Sequence, residues 1–499
     1  MSTNLLVPDA RGPARPGADA ALPRRSGRLR AGAAVLPFLL VGLVRSGLFR
    51  EGDTFWAVPT GAQVVAARSV SLPDAFSWTI PGQLWHPNSW LYDVLLHLAD
   101  ASAGRAGLAV AALLGVLVTG GGVAVAGSTL RAGAGATLVV GLLGSLVLAP
   151  WLSARPQVVS YGLLLVTLTL TVRLVDRRGR RLVVGALGLF GLSAVWVNLH
   201  LAALSGVIAA TAGLAVLLVV RRQEWRRLLP PAVLAVGATA LGSACSPLGG
   251  SVLTSALATR DASTEFIAEW APLWRAPALC QLTWVVAAVG LGLTLLAWRR
   301  VPQSTALAVW SGGVAVLLVL GVGAARFSAM ALVLALPAAA VWASGTDWSA
   351  HPRLGTVRFL ARGVAAALVA IYLVLAVVHL PDAGEPSGDI ASRATVEAVP
   401  AGCRVLNEYD DGGWITYLRG DDGVLVAQDG RNDAYGADVL VRVQGLIDGA
   451  PGTFTYLAQH DVGCLLLAPD RPVVTQARAA GWTQLAADRD RVLLVAPGS

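Results

Sequence analysis

Long apolar runs, separated by short clusters of arginine, constrain this chain more than any other feature. About eleven windows of roughly 16 to 22 Leu, Val, Ala and Gly residues recur along it, each long enough to cross a hydrocarbon core. They fall near 31–49, 106–127, 134–149, 158–174, 182–197, 202–220, 228–245, 283–298, 304–322, 327–345 and 363–380. With 55% hydrophobic and 14% charged residues among 499, and a mean hydropathy of +0.64, the sequence is too apolar for an ordinary soluble domain.

The formal charge of +8 comes entirely from arginine, since the chain has no lysine. The arginines sit between the apolar runs rather than on one basic face, so the charge is not the footprint of a nucleic-acid binder. Residues 1–30 carry Arg11, Arg15, Arg24, Arg25, Arg28 and Arg30 among Pro, Gly and Ala, and read as a disordered cytoplasmic tail. A cleaved signal peptide fits less well, because further apolar runs follow. With the N-terminus inside, the inner loops contain Arg131, then Arg177, Arg178, Arg180 and Arg181, then Arg221, Arg222, Arg226 and Arg227. Arg299, Arg300, Arg353, Arg358 and Arg362 complete the set. Every strong cluster thus falls on one side, as the positive-inside bias requires.

That threading sends three large pieces to the outer face: residues 50–105, residues 246–282 and everything after about 380. The first holds Trp56, Trp78, Trp85 and Trp90, and the second Asp261, Glu265, Glu269, Trp270 and Trp274. An interfacial aromatic belt is the default role for most of these tryptophans. Residues 89–100 have the helical spacing of a segment lying along the interface. The tail, 381–499, has ordinary polarity and alternating patterns: strands near 403–409, 423–428, 462–468 and 491–495, helices near 438–447, 454–460 and 473–480. The expected fold is an all-α polytopic membrane bundle in residues 31–380 with a small C-terminal extracytoplasmic α/β domain in residues 381–499. Cys245, Cys280, Cys403 and Cys464 all fall on the oxidising side of this map, which allows one or two disulfides; four unpaired buried thiols are the alternative.

Within the first outer loop, Glu51 and Asp53 stand just past the end of the first apolar run. Ionised carboxylates beside a bilayer are costly unless solvated, paired or used. The pair could coordinate a divalent cation such as Mg or Mn, or one of them could act as general base toward an acceptor hydroxyl. His86 and Asn88 could complete the site from the far side of the loop. The structural alternative is a solvated helix end with Arg50 as partner. No phosphate-binding loop, zinc spacing or nucleophile elbow is present, and Gly120, Gly121 and Gly122, inside an apolar run, suit close helix packing.

The run from Asp53 to Leu91 resembles a family of bacterial multi-span proteins with the patterns D-x-W-W-H-x-x-T-G, D-P-F-S-x-T and G-x-x-W-x-x-x-E-W-L. The matching positions are Asp53, Trp56, Thr60, Gly61, Asp74, Phe76, Ser77, Thr79, Gly82, Trp85, Trp90 and Leu91. Ala154-Arg155-Pro156-Gln157, Asn198-Leu199-His200 and Ser246-Pro247-Leu248-Gly249 match further on. In the tail, Asn407 to Trp414 looks like N-x-Y-D-x-G-G-Y, and Asp429 to Tyr435 looks like D-G-R-x-D-x-Y. The family is similar to the GT-C superfamily of integral-membrane glycosyltransferases. The chain departs from it at Glu51, often Asp in the family, at Ala57 in place of His, and at Ser89-Trp90 in place of E-W. These departures leave a metal-free or degenerate site open.

The resemblance implies transfer of a sugar from a polyprenyl-phosphate donor to an envelope glycan, lipid or protein acceptor, with inversion, on the outer face of the cytoplasmic membrane. Asp53 would take the acceptor's proton, and an arginine would neutralise the donor phosphate. Arg155 and Arg326, at outer ends of apolar runs, and Arg45, near the outer end of the first, are the candidates; snorkelling to headgroups is their structural alternative. His200 and Asn198 could contact the sugar or simply hydrogen-bond at the interface. Asp429, Arg431 and Asp433 fit an ion-paired turn better than an acceptor contact. The competing functions are a non-catalytic envelope assembly protein on the same scaffold and a polytopic transporter. A transporter should show ionisable residues at mid-membrane and matching broken helices in two halves, and neither stands out.

Overall fold

The computed structural model describes residues 24–249, 267–345 and 352–498. Asp261, Glu265 and the chain before residue 24 lie outside the described residues.

Each apolar window becomes a helix, because in a hydrocarbon layer the backbone must satisfy its own hydrogen bonds. The helices are α1 (Arg24–Arg45), α3 (Trp90–Leu130), α4 (Ala134–Leu148), α5 (Gln157–Val175), α6 (Arg180–Leu199) and α7 (Ala203–Val220), with the short α2 (Asp53–Ala67) between the first two. Then come α8 (Trp225–Ser243), α9 (Ala278–Arg300), α10 (Thr305–Gly323), α11 (Phe327–Ser344) and α12 (Pro352–His379). Among the described residues, ten helices are long and apolar enough to cross a membrane. The expected eleventh, α8, carries Arg226, Arg227, Pro230 and Pro231 in its first turns and falls short on composition. The chain is a multi-pass membrane protein.

Large apolar side chains on the outer faces of α6, α9 and α12, such as Leu187, Val289 and Val377, are exposed, as lipid-facing residues must be in a bundle without its membrane. Helices α5 and α11 lie at the centre; α11 is buried on all sides from Ser328 to Ala340. Gly122 fits the packing role expected of it, since a Cβ there would meet the Gly162 carbonyl of α5 at 2.7 Å. Helix α1 begins at Arg24, so the last residues of the expected disordered tail are helical. The expected interfacial segment is the first part of α3. It is set off from the spanning part by a break at Ala103 and Gly104, the latter at φ +55°.

The arginine-rich loops gather at one end of the bundle. Arg178 donates to the Arg227 carbonyl at 3.1 Å, Arg227 pairs with Asp176 at 3.3 Å, and Arg300 donates to the Trp342 carbonyl at 3.0 Å. The long loops and the tail occupy the other end.

The tail folds around a five-stranded sheet. With β1 (Leu72–Pro73) and β2 (Leu84–Trp85) as a small hairpin in the first loop, the tail strands are β3 (Arg404–Asn407), β4 (Leu425–Val426), β5 (Val462–Leu467), β6 (Thr483–Ala487) and β7 (Val492–Val495). Their order is β4-β3-β5-β7-β6; the first three are parallel, and β7 runs antiparallel to both its neighbours, β5 and β6. The helices α13 (Arg393–Glu397), α14 (Gly412–Arg419), α15 (Asn432–Ile447), α16 (Thr453–Gln459) and α17 (Pro472–Ala479) complete it. Strand β6 and helix α14 are absent from the sequence reading. Gly412 and Gly413, a pair whose composition suits a tight turn, instead open α14. Cys403 and Cys464 form a disulfide, and Cys245 and Cys280 are free thiols, so one of the two possible bridges is made.

The first loop is stitched into this domain. Trp78 N donates to the Val426 carbonyl at 3.1 Å and Val426 N to the Phe76 carbonyl at 3.0 Å, so residues 76–78 cover the exposed edge of β4. Trp78, packed on the sheet, and Trp85, packed against Ala434, Tyr435 and Leu440 of α15, are buried in the protein and not in an interfacial belt. Phe55 of α2 packs on the fully buried Trp414 of α14 at 4.6 Å, in a core that bundle and tail share.

A candidate active site between the bundle and the tail domain

Three helices begin at one cavity. Helix α2 starts at Asp53, α5 at Gln157 just after Arg155, and α11 at Phe327 just after Arg326. The cavity, of about 130 Å³, is lined by Asp53, Arg155, Gln157 and Arg326 together with Trp56, Ala57, His200, Glu269, Trp270 and the tail's Gly430, Asn432 and Asp433. The aligned peptide dipoles give each helix start a partial positive charge, so their convergence favours an anion.

Arg155 is the hub. Its Nε donates to Asp53 Oδ2 at 2.6 Å, its Nη2 pairs with the same oxygen, and its Nη1 lies 3.5 Å from Glu269 Oε1. Burial alone would lower its pKa, but Asp53, Glu269 and Glu51 outweigh burial and hold the guanidinium charged. Asp53 also accepts from Trp56 Nε1 at 3.2 Å. Arg326 is tied differently. It donates to Gln157 Oε1 at 3.4 Å, stacks over Trp270 at 4.2 Å, and makes no ion pair among the described residues. Its pKa is lowered, by burial first and by Arg155, with Glu269 opposing.

Glu51 and Asp53 do not act as a pair. Glu51 accepts from Arg45 Nη2 at 3.1 and 3.2 Å, while Arg45 Nε is anchored on the Leu152 carbonyl at 3.2 Å. Burial raises the Glu51 carboxyl more than Arg45 lowers it. Neither Glu51 nor Arg45 lines the cavity. A Mg or Mn ion on these two acids would have to displace Arg45 or Arg155, and the residues present therefore do not fit a metal at this pair. Among the described residues no group of three His, Cys, Asp or Glu side chains gathers around one point.

The other candidate residues divide the same way. His200 lines the cavity, with Nδ1 2.9 Å from Ser160 Oγ; burial, then Arg326 and Arg155, lower its pKa to about 3, so the ring is neutral. Asn198 is a clip: its Oδ1 accepts from Trp90 at 2.7 Å and its Nδ2 donates to the Cys245 carbonyl at 2.8 Å. Asn88 lines the cavity and donates to Asp433 Oδ2 at 2.7 Å. His86 is exposed and does not line it. Asp429 and Arg431 form the expected ion-paired turn. Arg431 is fully buried, chelates Asp429 at 2.8 to 3.0 Å and donates to Asp74 at 2.7 Å, which ties the first loop to the tail.

Sequence reasoning misses Glu269, since acidic residues in a long polar loop carry no signal until the loop folds over Arg155. It also misses four buried polar atoms on residues lining the cavity that have no partner among the described residues: Trp85 Nε1, Tyr92 Oη, Asp93 Oδ2 and Asn432 Nδ2. Nor does it place Gly430 against Asp53.

No family profile matches the sequence, and no curated protein matches it. Solved structures do. The chain is similar to ArnT from Cupriavidus metallidurans bound to undecaprenyl phosphate, with TM-score 0.57 and 14% identity over 94% of this chain and 98% of that one. The apo state of the same protein gives TM-score 0.56 and 14% identity, covering 93% and 96%. The Archaeoglobus fulgidus oligosaccharyltransferase tethered to an acceptor peptide gives TM-score 0.55 and 12% identity, covering 88% of this chain and 69% of that one. The chain therefore shares the fold of these solved membrane proteins over 88–94% of its length.

Proposed function

We propose that this chain is an inverting glycosyltransferase that moves a sugar from a polyprenyl-phosphate donor to a hydroxyl-bearing acceptor on the outer face of the cytoplasmic membrane. One observation supports it above the rest: Arg155 and Arg326 meet where two central helices begin, beside Asp53. A lipid phosphate arriving along the bundle would find two guanidinium groups and two helix starts at one point. Two of the solved structures this chain resembles, one with undecaprenyl phosphate and one with an acceptor peptide, support the same donor and acceptor classes.

The chemistry follows from the geometry. The acceptor oxygen attacks the anomeric carbon, the carbon–oxygen bond to phosphate breaks, and its electron pair leaves on the lipid phosphate. Arg326, which no carboxylate pairs among the described residues, stabilises that charge; Arg155 turns toward it and releases Asp53, which takes the acceptor's proton. The sugar's hydroxyls, able to donate and accept, satisfy Tyr92, Asp93, Trp85 and Asn432. The disulfide Cys403–Cys464 and the arginine-rich opposite end support an outward-facing tail.

The test replaces Asp53 by Asn and Glu51 by Gln in separate variants and follows incorporation of labelled lipid-linked sugar in membranes. Removing a general base should slow transfer by about 10²–10⁴-fold for Asp53→Asn. The effect of Glu51→Gln should be smaller, because that side chain lies behind the cavity. Unchanged transfer by Asp53→Asn in a folded protein would overturn the assignment.

A further inference from the structure

We propose that a second crevice, within the tail domain, binds a neutral glycan and presents it to Asp53 as the acceptor; the acceptor role, though not the binding, rests on the transferase reading above. The crevice has a volume of about 390 Å³, within the range of roughly 300–1,000 Å³ that small-ligand sites occupy. It opens where the parallel strands end: Glu408 follows β3, Gln428 follows β4, and Ala468 follows β5. The chain leaves β3 for β4 on one side and returns to β5 on the other. Such a reversal leaves a gap beyond the strand ends, the usual ligand position in open α/β sheets.

The lining names the ligand class. Glu408 is held by Arg471 through two bonds of 2.7 Å and by the Ala468 amide at 3.2 Å. Arg491 is held by Asp411 and by the Asp389 carbonyl. Asp410 stands at the exposed rim. An anion would face Glu408 and Asp410, and a cation would face Arg471 and Arg491, so neither has a welcoming field. What remains is a set of fixed acceptors and donors, with Gln428 and Gln444 adding amides. Hydroxyl groups, which donate and accept at once, fit that set. Gln428 is buried, and among the described residues its Nε2 makes a long bond of 3.4 Å to the Asn407 carbonyl.

The position gives the crevice its purpose. The segment Tyr409–Asp410 is the wall between it and the first cavity. On the crevice side it contributes lining; on the other, Tyr409 Oη donates to Asn432 Oδ1 at 2.7 Å, and the Asp410 carbonyl abuts Gly52 next to Asp53. A glycan anchored in the crevice could pass its end around that wall to the acid.

The test uses the full-length protein in lipid nanodiscs, titrated by calorimetry with neutral trisaccharides (α-linked mannotriose, arabinotriose and maltotriose), and with inorganic phosphate as the charged probe. At least one trisaccharide should bind saturably, and Gln444→Trp, which fills the crevice from the surface of α15, should weaken it about tenfold or more, with Gln444→Ala intermediate. Asp53→Asn should keep trisaccharide binding while losing transfer. Absence of saturable binding by all three, binding insensitive to Gln444→Trp in a protein of unchanged melting temperature, or phosphate binding with that sensitivity would overturn the proposal. Trisaccharide binding that is blocked by Gln444→Trp in a protein with no transfer activity would uphold the crevice and overturn the transferase reading.

Discussion

Gly430 of the tail lies so close to Asp53 of the first loop that a Cβ on it would stand 1.9 Å from the carboxylate oxygen and 2.8 Å from Trp56 Nε1. The tail domain is thus a wall of the candidate site, and glycine at 430 is required by that approach. Gly430→Ala should turn Asp53 off Arg155 or lift the tail away. A misplacement of this order can cost about 10²-fold in rate. The expected outcome is a large loss of sugar transfer with the tail's disulfide still formed, read from activity and thiol alkylation of the same preparation.

Much of the fold is legible in the sequence because the membrane enforces it. A run such as 327–345 has a single acceptable conformation in lipid, and α11 spans Phe327–Ser344. Strands β3, β5 and β7 appear where apolar alternation places them. What sequence reading misses depends on tertiary contact. The glycines of Gly412-Gly413 suggest a turn, but their function is proximity: a Cβ at Gly413 would meet the Gly52 carbonyl at 2.3 Å. At the site, Asp53, Arg155 and Arg326 are legible as charges at helix ends. Their division is not, since only the folded chain shows that Arg45 takes Glu51 and that Glu269 reaches Arg155.

Arg431 clamps Asp74 and Asp429 with no solvent access to any of the three side chains. Removing the cation would leave two buried carboxylates uncompensated, a change that typically costs about 3–5 kcal/mol. Arg431→Met should therefore release the first loop from the tail. Limited proteolysis should then cut within residues 68–90, a stretch expected to resist cleavage in the unsubstituted protein.

Glu408 gives the tail an acid limb. Burial pushes its carboxyl up, but the Arg471 hydrogen bonds, the Ala468 amide and the Arg471 charge together hold it below the ordinary glutamate range. A depressed folded-state pKa stabilises above the unfolded value, near 4.5, and that stability is lost as pH falls through the folded value. Glu408→Gln should flatten the loss of tail stability below about pH 4.5 and cost about 1.5 kcal/mol at neutral pH, seen in thermal melts across pH.

The disulfide closes a sequence separation of 61 residues across adjacent strands β3 and β5. The loop-entropy relation gives it about 4 kcal/mol of stabilisation. Cys403→Ser should lower the tail's unfolding temperature by an amount comparable to that of reduction. In the unsubstituted protein, denaturing alkylation should label two cysteines before reduction, Cys245 and Cys280, and all four after it.

Arg326 and Arg155 predict different kinetic failures, because only one of them is already occupied. Arg155 holds Asp53 and Glu269, so its loss unbalances both acids and disturbs the base as well as the phosphate. Among the described residues Arg326 has Gln157 and the Trp270 face but no carboxylate, which leaves its charge to a ligand. Hydrogen bonds to charged groups contribute about 1.5–3 kcal/mol, which corresponds to about 10–150-fold in affinity. Arg326→Gln should therefore raise the KM for the lipid-phosphate donor by about that factor, with a smaller change in kcat. Asp53→Asn should do the reverse, lowering kcat with little change in donor KM. Steady-state kinetics in nanodiscs, varying the donor at saturating acceptor, separate the two patterns. An Arg326 variant with unchanged donor KM would show that the phosphate lies elsewhere.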